Sequence, residues 1–242
     1  MKKYLPFIIL GLGLIILIGA FFLIRNSRKD ETVEEEEVAI KLSQEQLPFV
    51  SIIPSADGHY LTLRIESIKI EAESVDYEIL YDLADGRTQG VPGSVKIDSD
   101  DPIEREILLG SESSGNFRYD EGVEEGVLTI KFRDENGKLL GKATTEFVLL
   151  SNTDKLESLD QQFVYQLTKV TPNYFVVMNS LGYPLKPEFS VNSGPYGVHS
   201  SSEIAYPGEV KLEGEKIYQF DSDEWIEIED GSSGDIGVFI SS

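Results

Sequence analysis

An uncharged apolar stretch at residues 5–24 constrains this chain more than any other feature. Fifteen of its twenty residues are Leu, Ile or Phe, and none of its side chains is charged. A helix of this length spans roughly 30 Å, the thickness of the hydrocarbon core of a bilayer. The stretch therefore predicts a transmembrane helix, and the lipid bilayer is the partner expected for residues 5–24.

The flanks of this stretch favour an uncleaved signal-anchor over a cleaved signal peptide. Residues 1–4 form a basic N-terminal tail that contains Lys2 and Lys3. A cleaved signal has a shorter apolar run that ends at a small-residue cleavage site. The run found here is longer, and its last four residues are large and apolar: Phe21, Phe22, Leu23 and Ile24.

The orientation of the span is predicted from the body that follows it and not from flanking charge. Two lysines precede the span and three basic residues follow it closely, so the positive-inside count is nearly balanced. Long C-terminal domains are translocated largely regardless of nearby charge. We therefore expect a single-pass protein of the cell membrane, with the N-terminus inside and the C-terminal body outside.

The body itself is strongly acidic. Residues 1–29 hold five basic and no acidic residues, so the rest of the chain holds 16 basic and all 43 acidic residues, a formal net charge of −27. Such a body stays soluble and repels phosphate backbones, which disfavours nucleic acid as a partner. The chain has no cysteine, which excludes disulfides, thiolate metal sites and a cysteine nucleophile.

Residues 47–150 predict an antiparallel β-sandwich of the immunoglobulin-like kind. Apolar and polar side chains alternate in short runs, the pattern of strands with one buried face. Asn136-Gly137 lies between two such runs and predicts a β-hairpin. Seven or eight strands with regular turns over about 100 residues are typical of a sandwich. Residues 25–46, which precede it, are polar and acidic and predict a flexible stalk.

Residues 161–242 predict a smaller C-terminal β-rich domain, so the expected fold class is all-β after the transmembrane helix. Tyr174 begins a continuous apolar run typical of a buried strand, and glycines and prolines then predict a loop-rich middle. Residues 151–160 lack strand character and predict a connector. A short helix is the alternative there, because Leu156 and Leu159 lie at helical spacing.

Clusters of acidic residues suggest calcium, which prefers hard oxygen ligands. The candidate ligands are Asp98, Asp100, Asp101, Asp221 and Asp223. Neither cluster has the spacing of an EF-hand loop, since the fifth position is Pro102 in the first and Trp225 in the second. Because acidic residues are abundant throughout the body, solvated loops are the competing interpretation. No other cofactor is predicted.

The sequence offers no nucleophile motif, and we predict that the chain is not an enzyme. It has no G-x-S-x-G elbow, and its two histidines are His59 and His199. Trp225 is a candidate partner-binding residue, because it faces outward if Ile226 and Ile228 face the core. The other aromatic residues of the C-terminal segment fit the core of a small β domain: Tyr183, Tyr196, Tyr206 and Tyr218.

The chain resembles uncharacterised bacterial single-pass proteins with a signal-anchor, an acidic stalk and an immunoglobulin-like or fibronectin-like β body. The likeness is architectural and rests on residues 1–24, the stalk and the strand spacing across residues 48–150. The likeness implies no site residues, since a fold does not determine a function. From the whole sequence we predict a non-catalytic binding or structural module at the cell envelope, with a protein or an envelope polysaccharide as partner. The alternative is a cell-envelope enzyme, or a carbohydrate-directed accessory subunit, that uses carboxylates of the C-terminal domain.

Overall fold

A computed structural model describes residues 40–99 and 101–242 as an all-β protein. These residues contain no α-helix and one short 3-10 turn, Glu229–Gly231, so the predicted all-β class is confirmed. The predicted span and most of the predicted stalk lie outside the described residues. Within the described part of the chain, no helix is long and apolar enough to cross a membrane.

In the described residues, nine strands come from the first predicted β segment. They are β1 (Phe49–Pro54), β2 (Tyr60–Glu66), β3 (Ser74–Asp82), β4 (Thr88–Lys96), β5 (Ile103–Leu108), β6 (Gly110–Ser113), β7 (Asn116–Tyr119), β8 (Glu125–Arg133) and β9 (Leu139–Leu150). Nine more follow: β10 (Thr153–Glu157), β11 (Phe163–Thr171), β12 (Phe175–Asn179), β13 (Ser193–Ser200), β14 (Gly208–Leu212), β15 (Ile217–Asp221), β16 (Glu224–Ile228), β17 (Ser232–Ser233) and β18 (Val238–Ser241).

Half of these strands belong to one long antiparallel sheet. It has nine strands in the order β16-β15-β18-β13-β12-β9-β8-β3-β4. β1, β2 and β5 form a three-stranded sheet, and β10, β11, β14 and β17 form a four-stranded sheet. The predicted hairpin around Asn136-Gly137 is confirmed, because β8 and β9 pair on either side of it.

The two smaller sheets pack on opposite faces of the long sheet. Val176 and Met178 of β12 belong to one hydrophobic cluster, together with side chains of β1, β2 and β5. Phe175 and Val177 of the same strand belong to a second cluster, together with side chains of β10, β11 and β14. Successive side chains of a strand point to opposite faces, so each cluster lies on its own face. We call these clusters the first core and the second core.

Both predicted β segments contribute to the long sheet. The end of β9 pairs with β12, with Leu150 opposite Phe175 and Phe147 opposite Met178. The run that begins at Tyr174 is thus a buried strand, as predicted. Residues 40–242 form one compact unit, and the division of this unit into two independent domains stays a prediction.

Two segments that the sequence pattern assigned to a connector and to a loop form strands. The expected connector contains β10, an edge strand whose polar side chains face outward and whose Leu156 alone is buried. The expected loop-rich middle contains β13, a central strand. Its Gly197 marks a close approach within the sheet and not a turn. A Cβ there would lie 2.6 Å from Ser180 Oγ and 2.7 Å from His199 Nε2.

The last residues of the predicted stalk pack on the body. Leu42 is 6% exposed and belongs to the first core. It lies beside Gly141, where a Cβ would come within 2.2 Å of the Leu42 Cδ2 atom. The backbone N–H of Lys142 donates to the carbonyl oxygen of Ile40 at 3.1 Å. The expectation of a flexible stalk is therefore wrong for residues 40–46.

His199 is half-buried, and its Nε2 atom is completely buried with no hydrogen-bond partner within the described residues. The hydroxyl of Ser180 is also buried without a described partner, and it approaches the same glycine, Gly197. Burial lowers the pKa of His199 to about 4, because the charged imidazolium loses its hydration. No charged side chain contributes to this shift.

Replacing Leu42 by Ala should destabilise the body by about 2–3 kcal/mol, because a buried leucine loses its transfer free energy and leaves a cavity. Chemical unfolding of the full chain in neutral detergent, followed by the fluorescence of Trp225, measures the change; Trp225 is the single tryptophan. Ile40→Ala is the control, since Ile40 is 48% exposed, and it should cost less than about 0.5 kcal/mol. Equal losses in the two variants would contradict the packing of this segment.

Acidification should destabilise the body through His199. In the unfolded state His199 binds a proton near pH 6.5, whereas in the folded state it binds one only near pH 4. The contribution of His199 to the free energy of unfolding is therefore fully present above pH 6.5 and is lost as the pH falls from 6.5 to 4. Between pH 7 and pH 5 the loss is about 2 kcal/mol. His199→Gln should remove this loss from the pH profile of unfolding, whereas His59→Gln should keep it. A wild-type profile in His199→Gln would refute the assignment.

Candidate binding surface

β6 and β7 form a two-stranded ribbon that stands apart from both cores. They pair only with each other, and the residues after Gly110 are exposed throughout the two strands. Phe117 lies opposite Glu112 and Tyr119 lies opposite Gly110, so the two aromatic rings share one face of the ribbon. Phe117 is 49% exposed and Tyr119 is 38% exposed.

The turn of this ribbon explains why so polar a segment forms a hairpin. Ser114 and Gly115 have φ angles of 53° and 80°, and two consecutive positive φ angles give the twist that a two-residue hairpin loop requires. Gly110, with a φ of 152°, allows the strands to approach each other. A Cβ at this position would lie 2.2 Å from the carbonyl oxygen of Arg118.

Tyr60, the first residue of β2, and His59, which precedes it, extend the aromatic face. The ring of His59 stacks on Tyr119, with centroids 4.0 Å apart and planes inclined by 11°. Tyr60 meets Tyr119 edge-on at 6.1 Å. Phe117 and Tyr119 are nearly parallel, with an interplanar angle of 12° and centroids 6.3 Å apart. We call these four residues, His59, Tyr60, Phe117 and Tyr119, the aromatic hairpin patch.

Hydrogen bonds hold the base of the ribbon against β2. The N–H of Leu109 donates to the carbonyl oxygen of His59 at 2.8 Å, and the N–H of Asp120 donates to that of Leu109 at 3.0 Å. A side-chain hydrogen bond with Tyr119 raises the pKa of Tyr60 to about 12, so the Tyr60 phenol stays protonated at neutral pH. The patch can therefore offer flat ring faces for stacking and a phenol for hydrogen bonding.

Trp225, the predicted partner-binding residue, is half-buried on β16. Its ring contacts Phe220 on the paired strand at a centroid distance of 5.2 Å. Ile226 is 44% exposed and does not face a core, contrary to what the prediction for Trp225 assumed. Ile228 packs against the second core, so Trp225 lies on the opposite face of the strand. The segment before β13 covers it there, and the indole N–H donates to the carbonyl oxygen of Leu185 at 2.8 Å. This contact makes Trp225 less available to a partner than Phe117.

Two tyrosines of the C-terminal segment, Tyr196 and Tyr206, lie in the second core, as predicted. Tyr183 and Tyr218 are half-buried and belong to neither core. Tyr196 is 3% exposed and Tyr206 is 5% exposed. The hydroxyl of Tyr196 donates to a carboxylate oxygen of Asp160 at 2.6 Å. Tyr206 shares a hydrogen bond with the side-chain amide of Asn173. Their polar groups are therefore satisfied within the body.

The candidate calcium ligands do not converge in the described residues. Asp98 and Asp101 flank Asp100, which lies outside the described residues. Asp221 and Asp223 lie on a tight turn, in which the N–H of Asp223 donates to the carbonyl oxygen of Asp221 at 2.7 Å. No group of three carboxylate or imidazole side chains in residues 40–99 and 101–242 is placed to hold a metal ion. Calcium binding stays a prediction.

Sequence analysis does not predict the aromatic hairpin patch, because its members come from distant parts of the chain. Their approach depends on where β2 starts and on how the ribbon leaves β5, which local patterns do not encode. One signal was available. Phe117 and Tyr119 alternate with Arg118 in a polar stretch that has no other large apolar residue. Such a stretch has aromatic side chains and no apolar partner strand to bury them.

Comparisons with protein families, with curated proteins and with solved structures found no match for this chain.

Proposed function

We propose that this chain is a non-catalytic binding module at the cell envelope, anchored by residues 5–24, with its acidic β body outside the cell. The aromatic hairpin patch is its binding surface. The exposure of Phe117 and Tyr119, on a ribbon that contributes to neither core, is the observation that carries this proposal. Apolar rings left in water gain free energy when a partner covers them.

An envelope polysaccharide is the ligand that the patch fits best. The rings of Phe117 and Tyr119 are nearly parallel and present flat faces, which suit the apolar face of a sugar ring. The phenol of Tyr60 supplies a hydrogen bond beside them. A protein that inserts apolar side chains is the second candidate, since aromatic residues are also the usual anchors of protein interfaces.

The strand order supports an immunoglobulin-like or fibronectin-like sandwich for residues 47–150. One sheet contains β1, β2 and β5, and the other contains β4, β3, β8 and β9 in that order. Two antiparallel sheets of this kind, seven strands in all, are the pattern of such domains. The β6–β7 ribbon lies between β5 and β8 in the chain, and connections of this sort carry binding residues on a rigid scaffold.

The alternative of an envelope enzyme that uses carboxylates of residues 161–242 stays a prediction. A carboxyl group that acts as a general acid at neutral pH needs a raised pKa. The described carboxyl groups with a clearly shifted pKa all have a lowered one, and all of them lie before residue 161: Glu45, Asp57, Asp76, Asp85 and Asp160. Burial opposes the lowering at Asp76 and Asp160, but hydrogen bonds to the ionised carboxylates outweigh it.

The double variant Phe117→Ala/Tyr119→Ala tests the patch. Binding of the full chain, in neutral detergent, to purified envelope polysaccharide should weaken about tenfold or more, because each ring contributes on the order of 1 kcal/mol by stacking. The free energy of unfolding should change little, because both side chains are exposed. Cosedimentation with the polysaccharide measures the binding.

Val170→Ala/Leu185→Ala is the matched control, because it removes two other exposed apolar side chains, 60% and 47% exposed. This control should bind as the wild type does. Unchanged binding by Phe117→Ala/Tyr119→Ala, or an equal loss in the control, would refute the patch as the binding surface. Two results together would favour the second candidate. The wild type would not bind polysaccharide, and a variant with a photoreactive side chain in place of Phe117 would crosslink to one envelope protein.

The proposed orientation predicts the outcome of protease treatment of intact cells. The body should be cleaved before lysis, since it lies outside the membrane. An antibody against the C-terminal segment would follow the loss of the body, and a cytoplasmic protein would serve as the lysis control. A body that stays intact until the cells are broken would place it on the inner side.

A further inference from the structure

Three lysines form a row across neighbouring strands of the long sheet. Lys131 on β8 lies directly opposite Lys142 on β9. On its other side Lys142 forms a parallel bridge with Lys41. Neighbouring strands lie about 4.8 Å apart, so the row spans about 10 Å. We call Lys41, Lys131 and Lys142 the lysine row.

The lysine row lies on the face of the sheet that points away from the first core. Leu42, next to Lys41, is buried in the first core, and so are Ile130 and Phe132, on either side of Lys131. Because side chains alternate along a strand, the lysines point to the other face. Lys41 is exposed, and the other two lysines are half-exposed.

The row is an anomaly in so acidic a chain. Like charges directly opposite each other on neighbouring strands destabilise a sheet. The chain has 43 acidic against 21 basic residues, yet none of the three lysines forms an ion pair within the described residues. The acidic residue that continues the row is Asp76, opposite Lys131, and the positive charge of Lys131 helps to lower the pKa of the Asp76 carboxyl. Its carboxylate already accepts a hydrogen bond from the Nε of Arg133.

The next rank of outward side chains adds hydroxyl groups and one carboxylate, that of Glu78 opposite Thr129. Thr129 and Thr144 lie opposite each other, with their Oγ1 atoms 3.4 Å apart. The face thus combines ammonium groups with hydroxyl donors. Ammonium groups act as point charges, and lysine is a common phosphate-binding side chain.

We propose that the lysine row binds a linear polymer that carries phosphate groups, by contact with two or three consecutive phosphates. Charge complementarity carries the proposal, because the row is a local positive feature on a body with a net charge of −27. Its length of about 10 Å limits the contact to a short segment of polymer. A flat membrane surface or a nucleic-acid duplex would bring many further negative charges against the acidic flanks, which disfavours both. This site is separate from the aromatic hairpin patch.

Lys131→Gln/Lys142→Gln tests the proposal with short-chain inorganic polyphosphate as the probe. Calorimetric titration of the full chain in neutral detergent should show binding that weakens as salt rises, with a log–log slope of about −0.7 to −0.9 for each phosphate contacted. The variant should bind polyphosphate at least about tenfold more weakly than the wild type does. Its melting temperature without polyphosphate should be unchanged or higher, because like-charge repulsion is removed.

Lys169→Gln/Lys211→Gln is the matched control. It removes the same charge from two exposed lysines of β11 and β14, and it should bind polyphosphate within about twofold of the wild type. Three results would overturn the proposal: no binding of polyphosphate by the wild type, an equal loss in the control, or equal affinity for polygalacturonate, whose charges are carboxylates. If phosphatidylglycerol nanodiscs protect Lys131 and Lys142 from amine labelling and polyphosphate does not bind, the face is assigned to the membrane instead.

Discussion

The pairing of β9 with β12 is the contact on which the body depends. At this junction the long sheet is buried on both faces. Phe147 and Leu149 of β9 lie in the first core, whereas Val148 and Leu150 pack against the second core. Each small sheet has one apolar face that must be buried against another layer. Both are therefore covered by the one sheet that β9 and β12 hold together.

A sheet of nine strands must also protect its two edges, because unpaired backbone groups recruit other chains. The edge strand β4 contains Pro92, which has no N–H to offer a further strand. The opposite edge, β16, is short and carries Glu224 and Glu227. These features oppose edge-to-edge association, and the acidic surface of the body adds repulsion between copies. The edges of the long sheet therefore leave side chains, and not backbone groups, for contacts with other molecules.

The strands of the first half were predictable because most of them have one buried and one wet face. In β2, Leu61, Leu63 and Ile65 are buried and the residues between them are not. β12 was predictable for the opposite reason, since both of its faces are buried and its sequence is continuously apolar. Prediction failed where neither pattern holds. β10 buries Leu156 alone, and β13 has glycines and a proline at positions where neighbouring groups come close.

The candidate sites were less predictable than the fold, because each depends on register between distant segments. The lysine row requires the parallel bridge between Lys41 and Lys142, which joins two parts of the chain with no shared local pattern. The aromatic hairpin patch requires His59 to meet Tyr119. Both surfaces depart from the usual rules, one by exposing apolar rings and the other by aligning like charges. Neither departure adds to the packing of a core, so the stability of the fold does not account for them, and contact with a partner is the explanation proposed for both.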